Sequence, residues 1–124
     1  MSAPAAILFF YGSLKRGHSN HHRVAGQTYL GEAATLPAYR IIELGRYGGM
    51  IRDIANGFAV PGELWAVDAK CLADLDEFEM GEGRWLRMPV EIAGHDGVQS
   101  YCWTGAVPDG VRSGHVWPFE WVEA

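Results

Sequence analysis

The run Ala6–Phe10, AILFF, is continuously apolar and passes directly at Tyr11 into Gly-Ser-Leu-Lys-Arg-Gly. No other feature constrains the fold as much. A strand with one wet face alternates apolar and polar residues, whereas an unbroken apolar strand must be covered on both faces. The run therefore predicts a strand in the middle of the core, and the rest of the chain has to cover it twice. A buried strand that ends in a glycine turn brings backbone N–H groups to the rim of the core. Amides left unpaired there suit an anion or a developing oxyanion. An ordinary strand-ending turn fits the same residues equally well.

With 124 residues, 48% apolar and 20% charged, the chain holds enough apolar matter for one core, so a single domain over 1–124 is expected. Ten basic against fifteen acidic residues leave a net charge of -5, and the one basic cluster is Lys15 with Arg16. That balance argues against nucleic acid as a partner. The apolar start has no basic flank and is too short for a leader or a membrane span, so a cytoplasmic protein with no membrane association is expected. Cys71 and Cys102 lie in apolar surroundings without metal-site spacing. They read as buried reduced thiols, with a mutual disulfide as the other option.

Along the chain, Asn20 is a candidate N-cap for a short helix or turn through Val24. Strands are expected at Thr28–Ala34, with a bulge at Gly31, at Tyr39–Leu44 and at Met50–Ile54, with Gly45, Gly48 and Gly49 marking a loop. Asn56-Gly57 is a hairpin signal, followed by a strand from Phe58 to Val67 that bends at Pro61 and Gly62. Asp68 caps the one clear helix, Ala69 to Phe78 or Glu79. Trp85–Ile92 and Val98–Trp103 pair about an Asp96-Gly97 hairpin, and Trp117, Phe119 and Trp121 lay the tail over the body. Many short strands with one main helix predict an α+β domain, its strongly bent mixed sheet closing into a small β-barrel.

The helix carries Asp74, Asp76, Glu77 and Glu79. At about 100° per residue, Cys71, Leu72, Leu75 and Phe78 share one face. Glu79 falls within about 50° of its centre, with Asp74 and Asp76 on the flanks and Glu77 opposite. Glu79 alone projects over the apolar side. Partial desolvation there raises a carboxyl toward the range useful for proton transfer. Pairing with Arg84 or Arg87 is the competing expectation.

Three segments taken together resemble the gamma-glutamylcyclotransferase-like family. They are Tyr11-Gly12-Ser13-Leu14-Lys15-Arg16-Gly17 followed by Asn20-His21, then Val60-Pro61-Gly62-Glu63-Leu64, then Leu75-Asp76-Glu77-Phe78-Glu79 with Trp85-Leu86-Arg87 beyond. The resemblance runs from Ala6 to Val90 and is nearest to the small single-domain branch that includes gamma-glutamylamine cyclotransferases. It implies a mixed fold with a small barrel and a reaction without cofactors. In that reaction the α-amine of a γ-glutamyl compound attacks its own γ-carbonyl, releasing 5-oxoproline and an amine or amino acid. It implies Glu79 as general acid/base, and Tyr11, Gly12, Ser13, Leu14, Trp85 and Arg87 as binding residues for the small-molecule substrate. A monomer or weak homodimer is expected. Met80 stands where the family commonly has glycine, Gly49 where many members have proline, and Trp85 where tyrosine is usual, which bears on substrate identity.

Other constellations compete. His18, His21 and His22 lie close together but lack a helix register or an acid cluster to make a metal site, so no metal is expected. Ser13 with His21 or His22 and Asp53 has hydrolase residue types but no nucleophile elbow. Cys71 on an apolar face is a poor nucleophile. A non-catalytic small-molecule binding or regulatory domain on the same fold is the alternative to an enzyme, and a protein–protein module built on the Trp-rich tail is a third option.

Overall fold

The unbroken apolar run becomes β1, Ala6–Phe10, the middle strand of a five-stranded sheet. The computed structural model describes residues 4–45, 47–81 and 83–117. The other strands are β2 Thr28–Ala34, β3 Tyr39–Leu44, β4 Tyr47–Arg52, β5 Pro61–Val67, β6 Trp85–Pro89, β7 Val98–Trp103 and β8 Ser113–Gly114, with one helix, α1 Ala69–Met80. The first sheet runs β2-β5-β1-β7-β6 and the second β4-β3-β8. β1 is antiparallel to β5 and parallel to β7.

Two apolar clusters explain why β1 needs no polar alternation. Phe9 packs between the sheets with Ile41, Met50, Val60, Leu64 and Val98. Leu8 and Phe10, on the other face, pack with Val24, Trp65, Cys71, Leu75 and Tyr101. Successive residues of a strand point to opposite faces, so both faces are served. Both cysteines are buried and free.

The expected barrel is not what forms: neither sheet closes, and β2 and β6 end the larger one as edges. Pro37 is the physical reason. It has no N–H to extend a ladder. Between Ala34, paired with Pro61, and Tyr39, which begins the second sheet, the chain makes only a single bridge, Thr35 to Ile92. Nor does the short N-terminal helix form as an α-helix: His21–Val24 is one 3₁₀ turn, and Asn20 makes no side-chain cap to it.

Smaller expectations shift as well. Gly48 and Gly49 belong to β4, opposite Glu43 and Ile42, and are not a loop. Asn56-Gly57 returns Phe58 to Tyr39 and does not join adjacent strands. Between β6 and β7 the chain reverses at Ala93-Gly94, where the His95 amide donates to Ile92 O at 3.1 Å, ahead of Asp96-Gly97. The ladder does shift register between Tyr29 and Gly31, as the bulge requires. Asp68 Oδ1 accepts from the Cys71 amide at 2.8 Å, so the expected cap is in place. Trp117 lies within the described residues, whereas Phe119 and Trp121 fall outside them. Among the described residues no helix is long and apolar enough to cross a membrane.

Tyr11 ties the two sheets together. Its buried hydroxyl donates to Tyr101 O of β7 at 2.8 Å and accepts from the Met50 amide of β4 at 3.0 Å. Tyr11→Phe leaves that amide and that carbonyl without their partner inside the core. A loss of about 1–3 kcal/mol is expected, read as a lower denaturant midpoint at unchanged m-value. An unchanged midpoint would remove Tyr11 from this role.

Candidate active site

The pairing of β1 with β7 stops after Ile7↔Val98 and Leu8↔Gln99. Beyond those pairs, Phe9 and Phe10 on one strand and Ser100 and Tyr101 on the other line a cavity of about 290 Å³. Phe9 O accepts from Ser100 Oγ at 2.7 Å. Gly12, Ser13 and Leu14 form the wall that follows β1, and Phe78, Glu79 and Gly81 form the wall from the end of α1. Trp85, Tyr47, Gly48 and Trp117 complete the lining with Tyr11.

The glycine turn is held by its carbonyls. Gly12 O accepts from the Lys15 amide at 3.1 Å and Ser13 O from the Asn20 amide at 2.8 Å, and Leu14 O lies 3.0 Å from His21 Nδ1. Buried Glu63 anchors the exit of the turn, accepting from the Arg16 amide at 2.9 Å, the Trp65 indole at 3.2 Å and Arg16 Nε at 3.3 Å. Burial works to raise the Glu63 carboxyl, and these donors outweigh it, so the net shift is downward. The amides of Gly12, Ser13 and Leu14 donate to nothing among the described residues. The turn therefore lines the cavity with three residues whose amides are unused among the described residues.

Glu79 makes no hydrogen bond or ion pair among the described residues, and burial pushes its carboxyl up to about 7 against a smaller downward pull from Arg23. Arg23 itself stacks over the Phe78 ring, 3.5 Å from its centroid. The expected pairing with Arg87 does not occur. Arg87 donates to Asp76 instead, Nε to Oδ1 at 3.0 Å and Nη2 to Oδ2 at 3.2 Å. It is not among the residues lining the cavity. Trp85 does line the cavity and packs edge-on against Trp103, with ring centroids 5.3 Å apart.

Sequence reasoning placed Tyr11 through Leu14, Glu79 and Trp85 on this wall, and missed Tyr47, Gly48, Phe78, Ser100 and Tyr101. Asp76, read as a flanking solvated acid, is half-buried and accepts from Tyr101 Oη at 2.7 Å. Ser13 Oγ accepts from Asn20 Nδ2 at 2.8 Å, His21 is turned to Leu14 O, and Asp53 pairs with Arg40 at 2.8 Å. The hydrolase triad is therefore not assembled.

Gly48 is where Trp117 fits. A Cβ there would lie 2.6 Å from Ile41 Cγ2 and 2.6 Å from Trp117 Cδ2. Lys15 Nζ donates to the Trp117 carbonyl at 2.9 Å and holds this segment against the turn. Gly48→Ala is expected to displace the indole and destabilise by about 1–3 kcal/mol, the usual cost of overpacking. Denaturant midpoint and tryptophan emission read it, and an unchanged value in both would show that the seat is not tight.

A family model described as gamma-glutamyl cyclotransferase, AIG2-like, matches residues 8–118. The chain is 38% identical over 95 residues to a gamma-glutamylaminecyclotransferase of Homo sapiens, covering 70% of this chain and 61% of that protein. It is 31% identical over 84 residues to a gamma-glutamylcyclotransferase family protein of Escherichia coli K12, covering 68% of this chain and 71% of the other. The crystal structure of an AIG2-like protein from Mus musculus superposes with a TM-score of 0.73 at 25% identity, over 90% of this chain and 87% of that one. The chain spans a little over half to about seven tenths of the length of the curated relatives it matches.

Proposed function

The chain belongs to the gamma-glutamyl cyclotransferase, AIG2-like family, and we propose that it converts a γ-glutamyl amine or amino acid into 5-oxoproline and the free amine. One observation carries this reading. Glu79 and the turn residues 12–14 line one cavity, and among the described residues neither the Glu79 carboxyl nor the three turn amides have a partner.

The substrate brings both nucleophile and electrophile, so the site has only to fold it and carry two protons in turn from the attacking to the leaving nitrogen. Well-oriented intramolecular attack lowers a barrier by about 7–11 kcal/mol in favourable cases. Ionised Glu79 takes a proton from the α-ammonium. The freed amine attacks the γ-carbonyl carbon, and the lactam C–N bond forms as the carbonyl oxygen becomes an oxyanion. Amides of Gly12, Ser13 and Leu14 are the donors for that oxygen, a role worth about 10²–10³ in rate per donor. Collapse breaks the bond to the leaving nitrogen, which takes the first proton back from Glu79. The ring nitrogen then gives its remaining extra proton to the ionised carboxylate, which passes it to the released amine, so that the amine departs as an ammonium. The net change is redox-neutral and consumes no water. Trp85 supplies an aromatic wall for the leaving group.

A panel of γ-glutamyl amines and amino acids, assayed for 5-oxoproline release, tests the reading. At least one member should turn over, and Glu79→Gln should lower kcat by about 10²–10⁴, the usual worth of a general acid/base. The base must be ionised, so wild-type kcat/KM should fall about tenfold per pH unit below about 7. A carboxyl whose folded-state pKa is raised costs stability progressively as pH rises from its unfolded value of 4.5 toward about 7, and the full cost stands above that. Glu79→Gln should accordingly raise Tm at pH 8 more than at pH 5. Full activity in the glutamine variant, or no turnover of any compound, would overturn the assignment.

A further inference from the structure

We propose that Tyr101 accepts a hydrogen bond from the α-ammonium of the substrate, and that Asp76, clamped by Arg87, is the positioning residue that keeps Tyr101 an acceptor. The proposal rests on the γ-glutamyl reading and adds a binding group to the same site.

Tyr101 lines the cavity and is 4% exposed. Its hydroxyl donates to Asp76 Oδ1 at 2.7 Å. A phenol has one proton to give and lone pairs to receive. With the proton committed to a carboxylate, only the lone pairs remain for a ligand. Burial first, then the bond to Asp76 and, further off, the charge of Glu79 hold that proton in place.

Asp76 is itself fixed. Arg87 grips both of its oxygens in a two-point contact, which sets orientation as well as attraction. The guanidinium is held in turn by Gln99 Oε1, 2.9 Å from Nη1, and the Arg87 amide by Met80 Sδ at 3.3 Å. The cluster thus links α1, β6 and β7. The carboxylate cannot swing away from Tyr101 without giving up the arginine.

A substrate ammonium has several N–H bonds to place. One proton passes to Glu79. A second N–H held by Tyr101 Oη would aim the emerging lone pair across the cavity, toward the carbonyl held by the turn. Trp85, also on the wall, offers only an indole donor and does not compete for this role. An ammonium is a stronger donor than the neutral amine that attacks, so the contact is greatest before reaction and belongs to KM more than to kcat.

The experiment pairs kinetics with binding. Tyr101→Phe keeps the ring and should raise KM for the best γ-glutamyl compound about tenfold to a hundredfold, the size of one hydrogen bond to a charged group, with kcat within about threefold. Asp76→Asn frees the phenol proton to turn toward the ligand and should raise KM at least as much. In the Tyr101→Phe background Asp76→Asn should add nothing to KM, whereas a merely structural role would add its full effect there. Calorimetry with L-glutamine and with glutaramate, which lacks only the α-ammonium, covers the case in which Asp76→Asn does not fold. Wild type should prefer glutamine, and Tyr101→Phe should cut that preference about tenfold or more.

An unchanged KM in Tyr101→Phe, an undiminished effect of Asp76→Asn in that background, a retained glutamine preference, or no glutamine binding by wild type would each overturn the proposal. A lost glutamine preference in Tyr101→Phe, with no 5-oxoproline from any compound, would overturn the reaction and leave the ammonium subsite standing.

Discussion

The brevity of the parallel pairing between β1 and β7 is the constraint on which the rest depends. Parallel strands bring their carboxyl ends to the same edge of a sheet, where ligand crevices open. Here the ladder stops after two pairs, so the glycine turn and Tyr101 face one another across a gap. The gap keeps its shape because its polar backbone is satisfied from the sides. Ser100 takes up Phe9 O, and the Tyr11 hydroxyl reaches from Tyr101 O to the Met50 amide on the second sheet. A buried carbonyl or amide left open would cost free energy on the scale of a lost hydrogen bond. Closing these groups is what allows an empty volume beside the core.

The second layer is electrostatic and concerns two acids three residues apart on α1. Residues at that spacing are neighbours on a helix surface. Arg87 binds Asp76. Had it bound Glu79, the nearby cation would have favoured the ionised form and made Glu79 a structural ion pair. With Arg87 engaged by Asp76, burial raises the Glu79 carboxyl against only the smaller pull of Arg23. The same pairing of acids in separate environments is how a proton carrier and an organising anion coexist in one site.

Much of this was legible in the sequence, and what was missed shares a cause. The apolar run at Ala6–Phe10, the Gly31 bulge, the Asp68 cap and the inward register of Glu79 are all local or periodic, and a few residues of sequence specify each. The division into two sheets depends on what Pro37 prevents. Gly48 and Gly49 look like loop residues, but they sit in a strand against large side chains, Gly48 under Trp117, about 70 residues later, and Gly49 against Leu44, Trp103 and Trp85. Asp76 lay on a helix flank, and nothing near it in the chain announced that β6 and β7 would deliver Arg87 and Tyr101 to it. Side-chain networks between distant strands leave no periodic trace. That is why Asp76 and Tyr101 escaped the sequence reading while the inward register of Glu79 did not.

The polarity of the cavity bears on the chemistry independently of any likeness to other proteins. In the turn, the carbonyls are engaged and the amides are open, so that wall gives hydrogen bonds. Elsewhere on the lining, Glu79 in its ionised form offers carboxylate oxygens and Tyr101 a phenol whose proton is given to Asp76, so both can receive hydrogen bonds. A ligand that satisfies the turn and these two groups must donate at one end and accept at the other within the span of a small cavity. An amine and a carbonyl in one short molecule meet that demand, and holding them face to face is most of what cyclisation needs. A hydrolase would instead require an activated nucleophile or a held water. Ser13 Oγ accepts from Asn20 Nδ2, while His21 lies against Leu14 O and Asp53 pairs with Arg40.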